Sequence, residues 1–146
     1  MSKGNVVQSH VEALCERMLE TDELRVGSAG EIAVAHRSAV YQVRVLAELA
    51  QPHVEVSAIV LDDVDADPGL YEALNGINAR AAHFRAFWAD RKVVFAAVLV
   101  GETLALEELS CTCDEVGSAA HGEGPALVAV YGGRLARPDY SDEEGQ

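Results

Sequence analysis

A chain of 146 residues with 49% apolar content is the size of one domain and can bury a core without disulfides or a structural metal. Its formal net charge of −13, from 24 acidic and 11 basic residues with no Lys/Arg cluster, excludes nucleic acid as an expected partner, since phosphate binding needs concentrated positive charge. The first ten residues hold one lysine and no apolar run of signal-peptide length, no segment approaches a membrane span, and the three cysteines are too few for a closed disulfide framework, so a cytoplasmic protein with reduced thiols is expected.

The first helix is expected from about Ser9 to Glu20, with Val11, Leu14, Cys15, Met18 and Leu19 on one face and Ser9 and Glu12 spaced as a capping box. Gly27 and Gly30 mark a loop. Three strands should follow: Ile32 to His36, Val40 to Glu48 after a turn at Ser38-Ala39, and Val54 to Leu61 after the break at Gln51-Pro52. Asp67 as cap and Pro68 at the first helical position announce a second helix to Ala82, its stripe formed by Leu70, Leu74, Ile77 and Ala81. Beyond it, Phe84, Ala86 and Trp88 alternate with His83, Arg85 and Phe87 as a strand, and Asp90-Arg91 is a two-residue turn lacking the usual glycine. Lys92 to Val100 is apolar on both faces, which predicts a central strand covered on both sides. Leu106, Leu109, Cys113, Val116 and Ala120 keep helical spacing after a cap at Thr103, with Glu107 and Glu108 in the first turn. Gly117, Gly122, Gly124 and Pro125 should weaken or bend this helix, giving one long helix broken near Gly122 to Pro125 or two short ones, before Leu127, Val130 and Tyr131 resume the stripe and Gly132-Gly133 stops it.

The order α-β-β-β-α-β-β-α predicts an α+β fold, an antiparallel sheet covered by helices, in one domain over residues 1–136. The acidic tail 137–146 is expected to be disordered. The block from Leu70 to Glu108 resembles YbjN-type domains, which are similar to the class I type III secretion chaperone fold and include many actinobacterial chaperone-like proteins outside any known secretion system. The residues that carry the resemblance are Leu74, Asn75, Asn78 and Ala79 in the helix, Phe84, Val93 and Leu99 in the strands, and Glu107, Glu108 and Leu109 in the L-x-x-E-E-L helix start. It spans roughly Glu31 to Gly132. Ala105, where the family pattern usually carries a Thr cap, and the glycines of the last helix depart from it. The resemblance implies a homodimer that binds a segment of a partner protein and catalyses nothing.

Taken singly, the candidates for chemistry are weak. Asp62, Asp63, Asp65 and Asp67 suggest a calcium loop, but counting from Asp63 the sixth and twelfth positions of an EF-hand are Pro68 and Leu74, so a solvated loop ending in a helix cap is the better reading. Cys111 and Cys113 point to different helix faces, and His10, His36, His53, His83 and His121 are scattered without metal spacing. No phosphate loop, nucleophile elbow or paired nucleophile and base is visible, so neither an enzyme nor a cofactor or metal site is expected. Asn75 and Asn78 are poor interior helix residues, and either a bond to the adjacent strand or a polar contact across a partner surface would account for them. Tyr71, Phe84, Phe87 and Trp88 are either core or an exposed aromatic patch. These six residues form the candidate partner or dimer surface. The alternative is a small-ligand, sensory or enzymatic domain with a closed pocket between sheet and helix.

Overall fold

The computed structural model of the chain describes residues 2–136; the expected acidic tail lies outside them. Helix α1 (Lys3–Leu19) begins well before Ser9. The Ser2 hydroxyl accepts from the Asn5 N–H at 3.1 Å, and Ser9 lies inside the helix, so the expected capping box at Ser9 and Glu12 is not where the helix starts. The reason is apolar: Val7 is buried with Val11, Leu14 and Cys15, extending the stripe one turn toward the N-terminus. The chain continues as β1 (Ile32–His36), β2 (Ala39–Leu46), β3 (His53–Asp62), α2 (Pro68–Arg80), β4 (Arg85–Ala89), β5 (Lys92–Val100), α3 (Leu106–Tyr131) and a two-residue β6 (Arg134–Leu135). This is the expected α+β order with one short strand added.

The strands form one antiparallel sheet in the order β1-β2-β3-β5-β4, with β6 pairing the end of β3. Ile32, Val34, Tyr41, Val43, Val54, Val56, Val93 and Phe95 are buried on its covered face, where α1 and α3 pack. A bulge between Ile59 and Leu61 turns Leu61 inward next to Val60. Helix α2 lies beside β4. It is capped by Asp67, which accepts from the N–H groups of Gly69 and Leu70 at 2.7 and 3.3 Å, and it ends two residues before the expected Ala82.

Three further expectations are corrected. Helix α3 is continuous through Gly122 to Pro125, because tertiary contact outweighs propensity there. A Cβ on Gly117 would stand 2.7 Å from His36 Cγ, and one on Gly124 would stand 2.9 Å from Leu135 Cδ2, so these glycines let the helix lie close to the sheet. Its start is not capped by Thr103: the N-cap residue is Ala105, whose N–H donates to Glu108 Oε1 at 3.1 Å. The β1–β2 turn consists of Arg37 and Ser38, not Ser38 and Ala39, since His36 pairs with Ala39.

The β4–β5 turn is Asp90-Arg91, and both residues take the left-handed conformation, φ 51° and 61°. That costs about 1–2 kcal/mol per residue without glycine. Arg91 offsets it by binding Asp63 at 2.8 Å and Asp65 at 2.5 Å while its carbonyl accepts the Val64 N–H at 3.1 Å.

Candidate functional site

The β5 strand is not covered on both sides. Its second face, with Val94, Ala96, Val98 and Val100, belongs to the side of the sheet that carries neither α1 nor α3. On this open face the register aligns Ala33, Gln42, Ser57 and Ala96 in one row across four strands, small at every position but Gln42. Bulkier neighbours flank the row: Ile59 is 41% exposed, Val98 38% and Val100 48%. Val40, Gln42, Ser57, Ile59 and Ala33 enclose a trough of about 170 Å³. Elsewhere on this face Arg44 and Glu55 pair between β2 and β3 at 3.1 Å, and the Arg85 guanidinium lies 5.3 Å from the Phe87 ring centre.

The two edges of this sheet differ. At the β4 edge the Asn78 amide acts as a peptide group would: its Nδ2 donates to the Ala86 carbonyl at 3.0 Å, and the Ala86 N–H donates to its Oδ1 at 2.6 Å. The Trp88 indole N–H beside it donates to the Val64 carbonyl at 2.9 Å. The β1 edge is open. Its two-residue turn directs Ile32, Val34 and His36 toward β2, so Ala33 and Ala35 present their backbone N–H and C=O groups outward, and nothing among the described residues caps them. Exposed edges are usually guarded by a charge, a proline or a bulge, and the sequence of β1, IAVAH, has none of these before its last residue.

The six expected surface residues do not form one patch. Tyr71 and Asn75 are exposed on the outer side of α2, with Asn78 in the same stripe but bonded to β4. The Phe84 ring stacks on Phe95 at 5.1 Å, and Trp88 is half-buried with its ring edge-on to Tyr71 at 6.3 Å. Phe87 stands on the open face, away from these. Sequence reasoning missed Ala33, Ala35, Ile59, Val98 and Val100. The unguarded composition of β1 was the available signal for the first two.

The remaining polar clusters are engaged in structural roles. Asp63 and Asp65 hold Arg91, Asp62 holds Arg134 at 3.3 Å, and Asp67 caps α2. The Asp63 N–H and then Arg134 keep the Asp62 carboxyl below its ordinary range. Among the described residues no three His, Cys, Asp or Glu side chains are grouped to hold a metal. Burial, and the Glu12 charge after it, pushes the Cys15 thiol up to about 11; burial pushes Cys113, which is hydrogen-bonded to Tyr41, up to about 12, so both are poor nucleophiles at neutral pH. Ser38 Oγ lies 2.6 Å from His121 Nδ1, a pairing across 83 positions that no sequence motif announced. The same Nδ1 receives the Ser38 backbone N–H, which makes the pair a turn anchor on the surface. Glu115 of α3 binds the His83 imidazole and the N–H groups of Ala82 and His83, clasping the α2–β4 corner.

A groove of about 430 Å³ lies between the start of α1 and the β5–α3 loop, lined by Lys3, Val6, Val7, His10 and Glu102. It is at the surface, not between sheet and helix. Its polar groups are paired with one another or with backbone: Lys3 with Glu102 at 3.8 Å, and His10 with the Leu104 carbonyl at 2.7 Å.

A family described as type III secretion (YopN, CesT) and YbjN peptide-binding chaperone 1, TY-Chap1, matches residues 5–139. No curated protein matches the chain in sequence. Solved structures share its fold. The ExsC–ExsE complex gives a TM-score of 0.65 at 18% identity, over 87% of this chain and 97% of that one. The HopA1–SchA chaperone–effector complex gives 0.65 at 11% identity, over 84% and 96%. The Yersinia pestis type III secretion chaperone SycH, in complex with a stable fragment of YscM2, gives 0.56 at 12% identity, over 83% and 98%. No helix among the described residues is long and apolar enough to cross a membrane.

Proposed function

We propose that this chain, which belongs to the family of type III secretion and YbjN peptide-binding chaperones, binds an extended segment of a partner protein along the free edge of β1. The observation that supports this most directly is the unguarded edge itself, two alanines with outward backbone groups beside an apolar trough. A strand added there gains main-chain hydrogen bonds from Ala33 and Ala35, and every second side chain of it stands on the open face beside these two small residues, at the rim of the trough. The partner segment is therefore extended, with apolar residues at alternate positions. Binding and release suffice for this role in the cytoplasm, and no turnover enters the reading.

The substitution Ala35→Pro tests it. Proline removes an N–H that no bond inside the protein uses, so the fold should persist while strand addition fails. Peptides selected on the parent from a displayed library of extended sequences should lose at least tenfold in affinity for Ala35→Pro; equal affinity refutes the site. We also infer a homodimer through the outer stripe of α2, where Tyr71 and Asn75 are exposed beside Trp88. Light scattering should give twice 15.6 kDa, and the mass of one chain at micromolar concentration would overturn the dimer.

A further inference from the structure

The last described residues run into a wedge that opens within the sheet. Strands β2 and β3 are paired from Leu46 and His53 only as far as Gln42 and Ser57; beyond that point Ala39, Val40 and Tyr41 stay with β1, while β3 takes β6 as its neighbour at Leu61 and Asp62. The Ala136 N–H donates to the Val60 carbonyl at 3.4 Å, and Ala136 shares a small hollow with Ala39 and Ile59. Ile59 also lines the trough of the open face, and so does Val40, the residue after Ala39. Because β6 runs antiparallel to β3, the chain at Ala136 is heading along β3 toward Ile59 and Ser57, which is toward the trough. The next residue, Arg137, precedes Pro138, a position that favours extended backbone.

The trough has the size and lining for one aromatic side chain with a polar tip. Its volume of about 170 Å³ is below the roughly 300 Å³ at which small-molecule sites begin, and close to the roughly 150 Å³ in which an apolar protein cavity holds a benzene ring. Val40 and Ile59 supply apolar surface, while the Gln42 amide and the Ser57 hydroxyl, both half-buried, make no side-chain hydrogen bond among the described residues. A tyrosine satisfies both halves of such a lining. We propose that the trough is a tyrosine pocket filled, while no partner is bound, by Tyr140 of the same chain, the one aromatic residue that follows Ala136. Four residues of extended chain reach about 13 Å, enough to pass from Ala136 beyond Ile59. So short a tether gives an effective concentration in the millimolar range, so that a contact too weak to form between separate molecules is populated within one. The consequence for partner capture rests on the peptide-binding reading: a strand added to β1 sets side chains at the rim of the trough, and Tyr140 competes with them for it.

NMR of the free, full chain tests the pocket by comparing the parent with Tyr140→Ser, a change that removes no contact of the sheet or helices described above. Loss of the ring should move the signals of Val40, Gln42, Ser57 and Ile59 and leave those of α1 and β5 in place, equally in dilute and in concentrated protein. A peptide selected on the parent should then bind Tyr140→Ser about twofold to tenfold more tightly, the gain expected when half to nine-tenths of the parent is self-occupied. Trough signals that coincide in parent and variant overturn the proposal. Parent trough signals that shift with protein concentration mean that a second copy supplies the occupant, which overturns it too, and moved signals with unchanged peptide affinity overturn the competition. Because the NMR comparison needs no peptide, the pocket stands or falls separately from the β1 binding site, whose own test is Ala35→Pro.

Discussion

Replacing Asn78 by alanine sets two effects of opposite sign against each other. In a helix interior Ala is more favourable than Asn by about 0.6 kcal/mol, so if the side chain only occupied an exposed helix position the variant would be more stable than the parent. The structure gives Asn78 a second task, the bonds at 3.0 and 2.6 Å that satisfy both backbone groups of Ala86 on the β4 edge. Two such bonds contribute about 2 kcal/mol, and a part-buried N–H and C=O left without partners add to the loss. The net expectation is destabilisation by about 1–2 kcal/mol once the propensity gain is subtracted. Urea denaturation followed by circular dichroism measures it, as a lower midpoint at unchanged slope. Asn78→Asp should fall between, since a carboxylate still accepts the Ala86 N–H but cannot donate to its carbonyl. A parent-like or raised midpoint for Asn78→Ala would refute the role assigned to the amide.

Glycine substitutions in α3 should separate by position: Gly117→Ala forces its Cβ against the His36 ring and should lose about 1–3 kcal/mol, whereas Gly122→Ala, with nothing within 4 Å, should gain up to about 1 kcal/mol, both read from thermal or urea midpoints. A thiol reagent at neutral pH should titrate Cys111 quickly in the native protein, and Cys15 and Cys113 only after denaturation; three fast thiols would contradict the buried pair. Partial burial pushes the Glu115 carboxyl up, but the bonds from His83 and from the His83 and Ala82 amides outweigh it and leave the group below its ordinary 4.5. A folded value below the unfolded one means that the stabilisation is present above about 4.5 and disappears as pH falls through the folded value, so Glu115→Gln should flatten the acid limb of stability against pH; an unchanged limb would refute the clasp.

Local chemistry made much of this fold legible. The alternation of β1 to β3, the Asp67-Pro68 start of α2 and the aromatic strand leading to the Asp90-Arg91 turn are written in side chains within a few residues of one another, and periodicity and capping act over that range. The L-x-x-E-E-L start and the paired asparagines pointed to the chaperone family for the same reason. Where the chain misled, the deciding contact came from elsewhere. Gly117 and Gly124 read as helix breakers until His36 and Leu135 are packed against them, and the apolar run of β5 read as doubly covered because nothing local states on which side helices lie. The candidate site belongs to that second kind. Asn78 announced an unmet hydrogen-bonding need but not Ala86 as its partner, and Ser38 and His121 meet from 83 positions apart. That the outward groups of Ala86 on β4 are satisfied while those of Ala33 and Ala35 on β1 stay free follows only from α2 packing beside β4, because nothing in an edge strand's own residues states what lies next to it. The sequence by itself determined the elements and the family; tertiary structure alone decided which backbone groups remain free for a partner.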